Sequence, residues 1–507
     1  MRNFKYISLI GVVVAVLSCA PAQAQDQPSD TQQQQNQQQD QQGQQPDQGQ
    51  QQGQQGPQGP QPTQPIPAIR SPLASAADNE DTGNPNPQEI VPDTRPLTGV
   101  ENLSVGSVPV GHSYWQPRVS LVGTADSNPD FTTSNGSWAT WIALLGGVDL
   151  HKISGVSDLF VSYTGGAMFS NDSNAPTGNI QALTVKDKYA FRRSTLTLFE
   201  QLDYLPESSY GFAGLQFAGL NPSAGLNLGN NFTPSQSILT PRGQNLSSTS
   251  DGEFDTRLTA RTTLTFVGGY SLLRYFDDNL ADFGDATFQA GYNYQVNRRD
   301  TVGVSYQFGA FRYSNLDQSI NSNTVEASYG RRITGRLAFQ IAAGPQFVSS
   351  RFAITNSTTS TSGSVSQVYW TLNTSLQYQL RRATIAGSYY HGVTGGSGVL
   401  AGAETDIASG SLNGQLSRTF NAGVTGGFSR NQGFAITNSL ASQTFDYWFA
   451  GVNLTRNFGR NIDLFLNYQF QYQNGDVGNC TGTACLTNVT RHQISVGVNL
   501  HKQPIPF

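Results

Sequence analysis

From Phe445 to Gln473 the chain reads FDYWFAGVNLTRNFGRNIDLFLNYQFQYQ. In its second half Ile462, Leu464, Leu466, Tyr468, Phe470 and Tyr472 fall on one parity. Asp463, Asn467, Gln469, Gln471 and Gln473 fall on the other, interrupted only by Phe465. A period of two held over a dozen residues predicts a strand with one apolar and one polar face. The first half runs back into the tight turn Asn457-Phe458-Gly459-Arg460, so the two halves predict a long hairpin. Strands of soluble domains run about five or six residues. Strands about twice that length, apolar outward and polar inward, are what a transmembrane barrel requires.

The same unit recurs. Tight turns carry an arginine at Arg261, Arg299, Arg336, Arg381-Arg382, Arg418 and Arg460, at intervals of 38, 37, 46, 36 and 42 residues. Each interval holds one two-strand hairpin and its far loop. The strands between them alternate: Phe288, Ala290, Tyr292 and Tyr294; Val302, Val304, Tyr306 and Phe308; Trp370, Leu372, Leu376 and Tyr378; Ile494, Val496, Val498 and Leu500. Upstream, Val119 and Leu121 open a first strand and Trp138–Leu150 a second. A turn at Ser154-Gly155 leads to Leu159–Phe169, then come Tyr189–Leu202, a turn at Pro206 and Tyr210–Gly219. A β-propeller also repeats near forty residues, but its blade needs four short strands in that length, and here there are two long ones. Residues 113–507 are therefore expected to form an all-β, transmembrane, antiparallel up-and-down barrel of about 18 strands. An even count puts both barrel ends on the short-turn side, the periplasm in an outer-membrane barrel. Asp277–Gly284, Ala353–Ser364 and Gly475–Thr487 then face outside.

The first 112 residues carry no such alternation. Residues 1–24 read as a signal peptide: Arg2 and Lys5 precede the apolar run Ile7–Leu17, and Ala22-Gln23-Ala24 offers a cleavage site. Cys19 in Leu17-Ser18-Cys19 approximates a lipoprotein box as the alternative. Residues 25–66 are a Gln-rich segment with little to bury, expected to be a disordered periplasmic arm. Residues 67–112 form a Pro/Asn-rich linker. Only 37% of the 507 residues are hydrophobic, which argues against conventional thick cores and suits a barrel, where lipid replaces the core. A net charge of −5 gives no basic patch for nucleic acid.

Parity assigns the lumen wall. Gln289, Asn293, Gln307, Asn373, Gln377, Asn467, Gln469 and Gln471 are expected to line a pore that is polar but nearly uncharged, with Phe311, Tyr369, Tyr390, Phe449 and Phe465 among the amides. Amides that both donate and accept, beside stacking aromatics, suit small, mostly neutral polar solutes, saccharides among them. Glu326 with Arg332 and Asp255 with Arg257 read as wall ion pairs, and Asp277, Asp278, Asp282 and Asp285 as a solvated acidic loop. Among the connections the longest runs from Gly219 to Asn245. It carries apolar groups including Leu226 and Phe232, with Arg242 its only charge, and is expected to fold inward as a constriction loop. Cys480 and Cys485 read as a loop-closing disulfide in an exported chain. Five scattered histidines make no metal site, and no cofactor is expected. The stretch His391-Gly-Val-Thr-Gly-Gly-Ser397-Gly lacks the spacing of a nucleophile elbow, so no enzyme is expected.

In these hairpins, Arg-Arg-Thr/Asp turns entering strands such as Val302-Gly-Val-Ser-Tyr306, the chain resembles bacterial outer-membrane β-barrels, in particular the type 2 group of β-barrel porins. The likeness covers residues 244–500 well and 113–243 loosely. It implies an outer-membrane location, outer-membrane lipids and lipopolysaccharide as surroundings, small polar solutes as permeants, and room for an oligomer. Phe507 matches the terminal aromatic by which barrel assembly machinery recognises such chains, although Pro504 and Pro506 separate it from the strand ending at Leu500. The competing function is a structural barrel whose external loops bind a partner or a polysaccharide.

Overall fold

The computed structural model describes residues 113–507 except 130–137, 171–176, 206–243, 277–281, 315–317, 356–359, 381, 395–399, 401, 418, 435–442 and 477–487. The signal, arm and linker segments, the constriction loop with Leu226, Phe232 and Arg242, and Cys480 and Cys485 lie outside the described residues.

Eighteen long strands follow in order: β1 (Tyr114–Asp126), β2 (Ala139–Ser154), β3 (Ser157–Phe169), β4 (Gly178–Ala190), β5 (Ser194–Leu205), β6 (Asn245–Arg257), β7 (Thr262–Tyr275), β8 (Phe283–Gln295) and β9 (Asp300–Tyr313). The second half is β10 (Gln318–Arg332), β11 (Leu337–Thr355), β12 (Ser360–Gln379), β13 (Ala383–Thr394), β14 (Ala403–Ser417), β15 (Phe420–Gly433), β16 (Thr444–Phe458), β17 (Ile462–Asp476) and β18 (Val489–His501). Each pairs antiparallel with the next, and β1 pairs with β18 from Arg118↔His501 to Asp126↔Gln493, so the sheet closes without an edge. Closure pairs the strands' backbone groups around the ring, as a lipid surround demands.

Side chains alternate as the sequence predicts. Val119, Leu121, Leu144, Val304, Tyr306, Leu464, Leu466 and Val496 point outward and are exposed. Gln289, Thr301, Thr371, Gln471 and Gln473 point inward and are buried. An apolar outer band around a polar interior is the signature of a membrane barrel, the inverse of a soluble domain. Across the outer face of β13–β16 the end of the band away from the short turns is marked by two successive rows. Tyr389, Phe428, Trp448 and Tyr472 belong to one set of aligned residues, and one step outward His391, Asp406, Arg430 and Asp446 lie directly opposite one another. His391 stacks on Trp370 at 3.9 Å and its Nδ1 lies 2.8 Å from Asp406. Aromatics followed by charges mark the passage from acyl chain to headgroup.

The short connections are the arginine turns. At Asn297–Asp300 the Asn297 amide donates to Asp300 at 2.6 Å and Tyr329 donates its hydroxyl at 2.8 Å. These two bonds, Asn297 foremost, hold the Asp300 carboxyl below the usual carboxylate range. Gly459 (φ 71°) and Gly155 (φ 58°) take the left-handed conformation their turns require.

Two expectations are corrected. The strand read as Tyr189–Leu202 is split by a turn at 191–193, and β5 ends at Leu205 and pairs directly with β6. Phe191-Arg192-Arg193 is thus another arginine turn, and the strand expected at Tyr210–Gly219 lies outside the described residues. Alternation is weakest here because Glu200, Ser248 and Ser250 take outward positions; Glu200 accepts hydrogen bonds from both serines. The prolines near the C-terminus also do not end the pairing. A two-residue strand, β19 (Ile505–Pro506), pairs with β1 at Trp115 and Tyr114, and the Phe507 N–H donates to Ser113 O at 3.2 Å. Pro506 occupies an edge position, where a missing donor costs little.

Candidate functional site: the channel lumen

The expected lumen residues all face inward. Gln289, Asn293, Gln307, Asn373, Gln377, Gln469 and Gln471 are buried on the inner wall; Asn467 is half-buried and accepts a hydrogen bond from Asn453. Gln289 and Gln307 are direct cross-strand neighbours. Asn293 lies beside Gly303, where a Cβ would stand 2.3 Å from its Oδ1 and 2.6 Å from Ser328 Oγ, so only glycine leaves the amide room. In a ring of eighteen, β8 and β17 are diametrically opposite. The β8 group of Gln289 and Asn293 therefore lies opposite the β17 group of Asn467, Gln469 and Gln471, and Asn373 and Gln377 on β12 lie on the wall between them.

The wall is not nearly uncharged. Asp203 on β5, Asp251, Glu253 and Asp255 on β6, Asp285 on β8 and Glu326 on β10 all take inward positions. Asp285, read in the sequence as part of a solvated loop, is buried on the inner wall. Glu326 accepts a hydrogen bond from Thr371 at 3.1 Å; six residues of strand, on the order of 20 Å, separate it from Arg332, too far for an ion pair. Asp255 accepts from Thr265 at 2.6 Å.

The inward arginines near the barrel seam are closed on carboxylates. Arg491 of β18 donates through Nε to Asp126 of β1 at 2.6 Å and also reaches it through Nη2, with side chains only 3% and 0% exposed. This pair ties the last strand to the first. Arg118 bonds Asp149 at 2.9 Å and donates to Ser162 and Thr164. It lies flat over Gly147, where a Cβ would stand 2.6 Å from its Nε.

One wall element turns into the lumen. β13 pairs with β12 only as far as His391↔Leu372, whereas its pairing with β14 continues to Thr394↔Ala403. Beyond His391 the β13–β14 end leaves the wall. Val393, on the outward parity, is 0% exposed and clusters with the inward residues Leu273, Phe311, Tyr313, Ile320 and Val348. Gln346 of β11 acts as a surrogate strand for it: the Val393 N–H donates to Oε1 at 2.8 Å and Nε2 donates to the Val393 carbonyl at 3.2 Å. The same Nε2 is 2.9 Å from Ser322 Oγ. At the far end of the connection Gly402 (φ 84°) fits against the wall because it has no Cβ; one would stand 2.2 Å from Ile320 Cδ1. Leu400, Ala403 and Phe445 form a second apolar contact. An amide clamp and an apolar seat thus hold a hairpin end across the inner face of β9–β11. Sequence reasoning missed it, because the departure from the wall depends on Gln346, about fifty residues away in sequence.

Of the stretch His391–Gly398, His391 sits on the outer face, engaged by Trp370 and Asp406, and Ser397 lies outside the described residues. No family model matches the chain, and no curated protein matches it by sequence. Among solved structures it is similar to Pseudomonas aeruginosa OccK2 (OpdF) in complex with glucuronate, at 11% identity and TM-score 0.38, covering 77% of this chain and 98% of that one. It is similar to a BenF-like porin from Pseudomonas fluorescens Pf-5 at 10% identity and TM-score 0.38, covering 76% and 99%. It is likewise similar to the ferric-catecholate import receptor Fiu from E. coli K12 at 8% identity and TM-score 0.40, covering 76% and 81%.

Proposed function

We propose that the chain is a porin-like channel that passes small polar solutes by passive diffusion across a bacterial outer membrane. The observation that carries this reading is a closed ring of eighteen strands whose outer face is apolar and whose inner face is predominantly polar, with apolar clusters set into it. A barrel of that size has a lumen wide enough for water and solute. The short turns and both barrel ends lie on one side, which is assigned to the periplasm, with the Gln-rich arm. Two elements narrow the path: the inward β13–β14 end, and the long connection carrying Leu226, Phe232 and Arg242. The neutral-solute part of the sequence reading rested on a wall without charge, a premise the inward carboxylates of β5–β10 remove.

Liposome swelling with solutes of graded size tests the proposal. Vesicles containing the folded chain should swell in small sugars and amino acids and resist larger oligosaccharides, and deleting Ala224–Ser235 should raise the size limit. Vesicles that remain impermeable to the smallest solutes would leave a structural barrel as the better account.

A further inference from the structure

We infer that the lumen is a cation path, and that its permeants are small solutes bearing a positive group such as a protonated amine. This rests on the channel reading above.

The inward charges are unevenly placed. Asp203, Asp251, Glu253, Asp255 and Asp285 lie on the adjacent strands β5–β8, with Glu326 beyond them on β10. In a ring of eighteen, the strands opposite are β14–β17, whose inward residues are hydroxyls, amides and aromatics such as Thr405, Asn431, Tyr447 and Phe449, with one acid, Asp463, held by His501. Most basic residues of the inner wall sit on other strands and are engaged by carboxylates. Arg118 is held by Asp149 and Arg491 by Asp126, while Lys186 and Lys188 lie near Asp158. Arg257 and Arg332 stand at the turn ends of β6 and β10. The carboxylates of β5–β8 therefore face a wall of β14–β17 that carries no inward lysine or arginine among the described residues.

Asp251 makes this more than a surplus of acids. It is 5% exposed on the inner wall, and among the described residues neither carboxylate oxygen has a hydrogen-bond partner. Its near neighbours across β7 include Gly269, which offers no side chain, and Asp285 adds a second negative charge close by. A buried carboxylate without a donor is costly unless it takes a proton or a cation answers it, so a cationic group arriving in the lumen is what draws out its charge. No three acidic or histidine groups among the described residues converge closely enough to chelate a metal ion. The strip is thus a ladder of single acidic groups. A ladder favours entry and onward movement of a monovalent cationic group over tight capture, which is what conduction requires. A low-dielectric wall focuses the field of such a strip into the lumen, raising the local concentration of positive solutes.

The test is the reversal potential of the purified full chain in a planar bilayer under a tenfold KCl gradient. The inference predicts a potassium-to-chloride permeability ratio of about three or more. Asp251→Asn/Asp285→Asn should lower that ratio at least about twofold, whereas Asp446→Asn, the same change on the outer face, should leave it unaltered. Spermidine added to one side of the wild-type channel should reduce the current at concentrations where an equal charge of sulfate does not. A conducting channel with a ratio at or below one, or indifferent to spermidine, overturns the cation path and leaves the porin reading standing. So does an unchanged ratio in the folded double variant. A folded chain that carries no current overturns both.

Discussion

Removing the Gln346 side chain should release the inward hairpin end and widen the channel. In the native chain Gln346 is buried and makes three hydrogen bonds, two of them to the backbone of Val393. In Gln346→Ala the Val393 N–H and carbonyl lose their partner while Val393 stays buried. Each unsatisfied group costs about 1–3 kcal/mol, so the seated state loses roughly 2–6 kcal/mol. Against this stands the burial of Val393 in its apolar seat, about 1.5–3 kcal/mol for a fully buried aliphatic side chain. The two ranges overlap, so the end should spend a substantial fraction of time away from the wall. In single-channel recordings the variant should show a higher mean conductance with added flicker, and in swelling assays a larger size limit. Heat-modifiable migration on gels verifies that the barrel is intact. A folded variant with wild-type conductance and size limit would refute the idea that this hairpin end narrows the path.

Other perturbations probe the wall, its seam and its orientation. Leu466→Lys places a charge on the outer face near mid-strand and should cost about 2–4 kcal/mol in refolding into vesicles, whereas Asn467→Lys, one residue on and inward, should be nearly neutral; equal costs would remove the inside–outside assignment. Asp126→Asn leaves Arg491 buried without its carboxylate and should destabilise the barrel by about 3–5 kcal/mol, lowering the temperature of heat modification; an unchanged temperature would mean the seam pair is dispensable. Epitope tags in Gly475–Thr487 should be reached by antibody on intact cells and tags at Asn297–Asp300 should not, and the reverse pattern would invert the proposed orientation.

The wall was legible in the sequence because a barrel imposes one rule on every strand, and that rule survives wherever outward positions are uniformly apolar. It held from Phe283 to Leu500, where Tyr292, Val304, Leu466 and Val496 point outward and Gln289, Gln307 and Gln471 inward. It failed on β4–β6 because Glu200, Ser248 and Ser250 point outward, erasing the contrast that marks register. The inward carboxylates were lost in the same stretch: NLSSTSDGEFDTR offers no parity by which Asp251 and Glu253 could be assigned. Asp285 was drawn into a loop by its acidic neighbours, although β8 begins at Phe283. Phe465 looked like an interruption because its reason lies on another strand. It covers Gly497, where a Cβ would stand 2.2 Å from its ring, and joins the inward apolar cluster of Val122, Trp141 and Leu145. The inward turn of β13 was invisible for a similar reason. Val393 is one more apolar residue at an outward parity, and only Gln346 and Ile320 reveal that it has left the wall.

Single-channel recording of the purified chain in a planar bilayer tests the central claim most directly. The account predicts discrete, long-lived, ohmic openings at low voltage, from a species that migrates as a folded barrel on an unheated gel. A folded chain that inserts yet carries no steps above the bilayer baseline would contradict it.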